Sequence, residues 1–170
     1  MAMSVNGYIA RTSGEEDFLS DKNWFIFSKI AKEIGCLIVG RKTYEVVSSW
    51  KGYNFDDIKA KKIIISKNNN FKVNKSYLIA SSPTDSINKA KSLGFKKVLV
   101  SGGSRVNTSF IKEGLINEII LNVEPIILGN GIKLFAEGNF ITKLKLLDIK
   151  KVSNNITQLH YKVKKLNSSK

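Results

Sequence analysis

Short β-branched runs recur along the first two-thirds of the chain. They are "CLIV" (36–39), "KIIIS" (62–66), "YLIA" (77–80) and "KVLVS" (97–101), each bounded by turn residues. Brief runs that are apolar on both faces predict buried strands. Segments of helical spacing lie between them. "SDKNWFIFSKIAKEIG" (20–35) offers Ser20 as an N-cap and Gly35 as a stop, with Trp24, Phe27, Ile30, Ala31 and Ile34 on one face. "SPTDSINKAKSLG" (82–94) has Pro83 and Thr84 near its start and Gly94 at its end. "SRVNTSFIKEG" (104–114) follows a strand directly and closes on Gly114. Strand and helix in alternation predict βα units around a mainly parallel, twisted sheet.

The last third reads differently. "NEIILNVEPIIL" (117–128), "TKLKLLDIK" (142–150) and "NITQLHYKV" (155–163) have no helical spacer between them. With "VSNN" joining the last two, they predict a C-terminal antiparallel hairpin on the sheet edge. No internal repeat or long linker interrupts the chain, and 66–76 reads as a loop. One domain over residues 1–166 is expected, with 167–170 as a frayed tail.

Composition changes this picture little. The chain has 170 residues, 42% hydrophobic and 25% charged, which is ordinary for a globular domain. No apolar run approaches the roughly 20 residues that span a bilayer. "MAMSVNGYIA" has no cationic segment ahead of an apolar one, as a signal peptide would. The single cysteine, Cys36, has no internal disulfide partner. A cytoplasmic protein without a membrane partner is expected.

Charge changes it more. Twenty-eight basic residues against 14 acidic ones give +14. The lysines are scattered singly or in pairs among apolar residues, as on solvated faces. That distribution disfavours nucleic acid and favours small polyanions such as phosphorylated cofactors.

In open α/β sheets ligands bind beyond the carboxyl ends of the strands. Gly40-Arg41-Lys42-Thr43 follows one strand, Ser66-Lys67 a second, and Ser101-Gly102-Gly103-Ser104-Arg105 a third. Small residues, hydroxyls and cations at three strand ends suggest a phosphate-rich ligand across the edge. The Gly102-Gly103 pair lets backbone amides approach an anion ahead of a helix start, although it also serves a tight strand-to-helix turn. Arg41 can hold a phosphate bidentately, and Lys42 or Lys67 can add a point charge. Neither "GGSRVN" nor "GNGIKL" has the GxGxxG spacing, and no Walker loop is present. His160, the only histidine, lies inside a predicted strand, and no cluster has metal-ligand spacing.

Several stretches together resemble the dihydrofolate reductase superfamily, in the branch that shares the reductase domain of riboflavin biosynthesis. They are "AMSVNGYIA" (2–10), "LIVGRKTYE" (37–45), "VLVSGGSRVNTSFIKEGLINEIILNVEPIILGNGIKLF" (98–135) and the C-terminal hairpin. The resemblance implies a dihydrofolate reductase-like fold, NADPH as cofactor and a homodimer. It implies hydride transfer to a small heterocycle, either a riboflavin-pathway ribosylaminopyrimidine or a folate. By the same resemblance, Gly40, Arg41, Thr43, Ser66 and Lys67 lie at the adenosine phosphate. Ser101, Gly102, Gly103, Ser104 and Arg105 cradle the pyrophosphate. Ala2, Gly7 and Ile9 lie beside the nicotinamide.

On the substrate side, Asp17 of "EDF" and Asp21, followed by Trp24-Phe25, match acidic–aromatic pairs of the family. They are the expected catalytic and substrate-binding groups, with Asn6 and Trp24 beside them. Three departures stand out. Asn6 occupies a position where the family often has Asp, and Ser101 one where the riboflavin reductase has Glu. The riboflavin reductase's Asp-Asp-Pro after the first helix is missing. A protein that binds nucleotide or nucleic acid without turnover is the remaining alternative on the same fold.

Overall fold

In the computed structural model, which describes residues 1–68 and 70–164, β3 (Cys36–Gly40) has every residue buried. A strand alternates its side chains between two faces, so burial along its whole length needs a covering layer on each. Leu37 and Val39 pack on one side with Ala31, Val47, Phe55 and Ile64. Cys36 and Ile38 pack on the other with Ile63, Ala80, Ala90 and Phe110. Each such aliphatic side chain contributes about 1.5–3 kcal/mol by leaving water.

β4 (Lys61–Ile65), β5 (Leu78–Ala80) and β6 (Leu99–Val100) join β3 in the order β5-β4-β3-β6, all parallel. Helix α1 (Asp21–Ile34) leads into β3 and closes on Gly35 in the left-handed conformation, at φ 80°. α3 (Pro83–Ser92) follows Ser82, whose hydroxyl accepts from the Asp85 N–H. α4 (Ser104–Lys112) starts after the glycine pair.

A second sheet runs β1-β7-β10-β9. Here β1 (Ala2–Ser4) is parallel to β7 (Glu118–Glu124), whereas β10 (Thr157–Val163) is antiparallel to both β7 and β9 (Leu144–Lys151). The hairpin therefore forms the sheet edge, as the pattern predicts. β2 (Tyr8–Ala10) pairs separately with β8 (Ile132–Lys133). Ile9, Leu121 and Leu134 form the third core cluster.

Three differences from the sequence expectation have local causes. Residues 41–49 form a helix, α2 (Arg41–Ser49), so the cationic strand end is its first turn. Its Val-Val-Ser-Ser stretch has modest helix propensity and hides the period. The strand expected over 117–128 stops at Glu124, because Pro125 has no N–H to continue the ladder. The strand expected over 97–101 shortens to two residues, since β3 pairs only with Leu99 and Val100. The tail expected at 167–170 lies outside the described residues. Among the described residues no helix is long and apolar enough to cross a membrane.

Candidate active site

The three cationic strand ends meet at one edge. The Gly40 N–H donates to the Gly102 carbonyl at 2.8 Å, and the Ser101 N–H donates to the Ile38 carbonyl at 2.9 Å. On the other flank Gly40 is in register with Ile65, which brings Ser66 and Lys67 beside the start of α2. α2 and α4 begin on Gly40 and Gly103 as N-caps, and neither has a side-chain cap. Two helix starts therefore present amide N–H groups with no hydroxyl or carboxylate from their own caps. Such amides, with the helix dipoles behind them, suit an anion.

Glycine has a reason at both positions of the pair. Gly102 lies at φ 85°, which disfavours a side chain. A Cβ on Gly103 would come within 2.9 Å of the Thr43 hydroxyl oxygen, so the two helix starts touch there. The Gly102–Gly103 peptide is cis.

The cations are held to different degrees. Arg41 donates through Nη1 to Glu45 Oε1 at 2.8 Å, and its guanidinium lies 5.8 Å from the centre of the Phe71 ring. Those two neighbours fix its direction while its charge stays partly open to solvent. Lys42, Lys67 and Arg105 are exposed. The buried Ser66 hydroxyl accepts from the Asn68 N–H at 3.0 Å, closing the turn after β4.

A cavity of about 1060 Å³ opens beside this edge. At its mouth Asp21 accepts from the Tyr53 hydroxyl, and Trp24 packs at a tilt against Tyr53 with centroids 5.2 Å apart. Asp17 also lines it, but is exposed and bonded to Arg11 Nε at 2.6 Å, which holds its carboxyl below the usual range. Ala2 lines the same cavity from β1.

The remaining expected residues stand apart from it. Asn6 donates to the Leu128 carbonyl at 2.7 Å and accepts from the Leu128 N–H at 3.2 Å, so its amide clamps the loop after β7. Gly7 forms the turn between β1 and β2, and Ile9 is core at 4% exposure.

Two carboxylates escaped the sequence reading. Glu16 lines the cavity, and burial pushes its carboxyl up to about 7, opposed by the Met1 ammonium. Glu124 is only 6% exposed, and its Oε1 accepts from the Ser20 N–H at 3.0 Å, the Ser20 hydroxyl at 2.8 Å and the Asn23 amide. Asn122 donates to Asn23 Oδ1 at 2.8 Å, and Gln158 donates to Asn122 Oδ1 at 2.7 Å. This buried amide chain ties the start of α1, and with it Asp21 and Trp24, to the strands below. Its only sequence signals are a Glu closing the apolar run "IILNVE" and an Asn on the apolar face of a helix.

Comparison with known proteins gives three findings. The profile of the RibD C-terminal domain matches residues 1–158. YyaP of Bacillus subtilis, itself uncharacterised, is 25% identical over 171 residues, covering 95% of this chain and 91% of that one. Two crystal structures share the fold. A protein of Shewanella sp. PV-4, provisionally described as a riboflavin biosynthesis protein, superposes with a TM-score of 0.79 at 24% identity, covering 97% of each chain. A deaminase/5-amino-6-(5-phosphoribosylamino)uracil reductase of Thermotoga maritima gives 0.72 at 18% identity, covering 95% of this chain but 54% of that longer one.

Proposed function

Given that the chain belongs to the RibD C-terminal domain family, we propose that it is an NADPH-dependent reductase of a ribosylated aminopyrimidine or a related heterocycle. The observation that carries this reading is the pair of side-chain-uncapped helix starts at one strand edge, with Arg41, Lys42, Lys67 and Arg105 around them. That donor set fits a dinucleotide. Amides at Gly103, Ser104 and Arg105 face the pyrophosphate, while Arg41, Lys42, Thr43, Ser66 and Lys67 take the adenosine phosphate. Ala2 and Ile9, on β1 and β2, and Gly7, in the turn that joins them, back the nicotinamide. The cofactor, when bound, supplies the hydride.

The chain's own residues bind, orient and exclude water. Asp21 accepts ring N–H groups, directed by Tyr53, and Trp24 offers a stacking face. Glu16 holds a proton near neutral pH at the cavity wall, within reach of the acid–base role such a reduction needs. Asp17 steers charge at the mouth. The uncovered apolar face of β9, with Leu144, Leu146 and Ile149, receives a second copy of the chain to form a homodimer.

Reduction of dihydrofolate is the second reading, favoured by Asp21 standing at the start of α1 ahead of Trp24-Phe25. Titration of NADPH and NADH, followed by Trp24 and Trp50 fluorescence, tests the first step. Absorbance loss at 340 nm with aminopyrimidine or dihydrofolate acceptors tests the second. Tight NADPH binding without oxidation of either mixture would leave a nucleotide-binding protein. Retention on DNA at physiological salt without NADPH binding would remove the dinucleotide altogether.

A further inference from the structure

One carboxylate sets the direction of three buried amides. Glu124 ends β7, and Ser20, the N-cap of α1, makes no side-chain cap bond of its own. Instead the Ser20 N–H and hydroxyl both donate to Glu124 Oε1, at 3.0 and 2.8 Å. A carboxylate oxygen accepts and does not donate. Asn23 therefore turns its Nδ2 to Glu124, which leaves its Oδ1 for the next group. Asn122 fills that place with Nδ2 at 2.8 Å, and its own Oδ1 is left to accept from Gln158 Nε2 at 2.7 Å. Each amide is oriented by the one before it. A cation in place of Glu124 would reverse all three.

That direction decides what the far end of the row presents. Gln158 is 6% exposed and lines the cavity. Its Nε2 bonds Asn122, and its Oε1 has no hydrogen-bond partner among the described residues. The Ser28 hydroxyl is the one described side-chain polar atom that is both sealed and unpaired, so the Gln158 oxygen is open, and the cavity is what it opens on. A carbonyl in so confined a place has lost most of its hydration and gains from a donor brought to it. Ala2, Asn122 and Gln158 are in register across β1, β7 and β10, and all three line the cavity. Ala2 and Gln158 are thus two strand spacings apart, about 10 Å.

We propose that the Gln158 carbonyl oxygen is a recognition point for the substrate, accepting a hydrogen bond from a ring N–H or amino group of a bound pyrimidine. Glu124 acts behind it as a positioning residue, holding the amide row so that an oxygen faces the cavity. A reversed row would turn an NH2 group there and select a carbonyl instead. The inference rests on the reductase reading and narrows its substrate to heterocycles with an N–H to donate at that wall.

Two measurements test it. In the free full-length protein, long-range HNCO correlations across hydrogen bonds are expected from Gln158 Nε2 to the Asn122 side-chain carbonyl and from Asn122 Nδ2 to that of Asn23. Reversed or missing correlations would overturn the row. Glu124→Gln, which keeps an oxygen for the Ser20 donors, is expected to retain both correlations and Glu124→Leu to lose them. Unchanged correlations in Glu124→Leu would take Glu124 out of the positioning role.

The second measurement titrates 6-aminouracil, and 1,3-dimethyluracil, which has no N–H, into wild type and Gln158→Met. The substitution is expected to weaken 6-aminouracil about five- to tenfold and 1,3-dimethyluracil less than about twofold. Equal losses for the two, or none for either, would overturn the recognition point and leave the reductase reading standing. Failure of 6-aminouracil to bind the wild type would overturn the recognition point and the pyrimidine reading together. NADPH titration of the same proteins reads the cofactor part of that reading separately.

Discussion

The two halves of the molecule are closed in different ways. Around β3 the two inner strands, β3 and β4, are paired on both sides, and both faces of β3 are buried. Around β7 the sheet ends on β9, where all eight residues are exposed. The closed half supplies a rigid edge from which glycine amides and cations project. The open half supplies the cavity mouth at Asp21 and Trp24 and an exposed apolar row on β9. In the proposed reading the two sit side by side because a dinucleotide needs fixed donors, whereas an acceptor has to enter and leave.

The largest expected break in this contrast is in stability. Leu37→Ala, at a side chain with 0% exposure, should cost about 2–5 kcal/mol in denaturant unfolding. Leu146→Ala on β9, 47% exposed, should change the monomer by no more than about 0.5 kcal/mol. Similar losses would mean that the open half is as tightly packed as the closed one.

Next comes the cationic edge, the proposed cofactor site. Arg41→Ala should weaken NADPH ten- to a hundredfold by fluorescence titration, the loss of about 1.5–3 kcal/mol of charge-assisted bonding, and leave NADH nearly unchanged. Equal losses for both would take Arg41 out of the phosphate role.

A smaller effect sharpens the open half through pH. Glu16 rises from 4.5 to about 7 on folding, and the Met1 amine falls from 8.0 to about 6. From pH 4.5 to 6 the unfolded chain gives up the Glu16 proton while the folded chain keeps it, so stability falls. From 6 to 7 the unfolded chain carries the amine proton and the folded chain the Glu16 proton, and the curve is flat. From 7 to 8 only the unfolded amine still binds a proton, so stability rises. The trough should be at most about 2 kcal/mol deep in unfolding experiments across pH. Acetylating Met1 should remove the rise above pH 7.

The smallest effect is Asp17→Asn. Its ion pair with Arg11 is exposed, so Tm should stay within error. A fall in turnover without a change in Tm would return Asp17 to the reaction.

Most of the closed half was legible in the sequence. β-branched runs between turn residues mark its strands, and Gly35 and Gly94 mark helix ends, because these signals are local. The gathering of 40–43, 66–67 and 102–105 at one edge followed from βα alternation, since parallel strands carry all their carboxyl ends to the same side. α2 was hidden because "RKTYEVVSS" has weak propensity and a glycine for a cap. Asp21 could be picked out as an acid at a helix start, but Tyr53, which directs it, lies 32 residues away.

The rest was decided only in three dimensions. Glu124 reads as a strand-end acid until Ser20 and Asn23 arrive from about a hundred residues upstream to bond it. Glu16 looks like one of three acids in a row until burial singles it out. Asn6 looks like a substrate group until its amide meets Leu128. Periodicity and turn chemistry are properties of neighbouring residues, so the chain alone determines its strands, its helices and its cationic edge. Desolvation and hydrogen-bond partnership depend on groups distant in sequence, so only the tertiary structure decides which polar residues are used up in the scaffold and which are left to act.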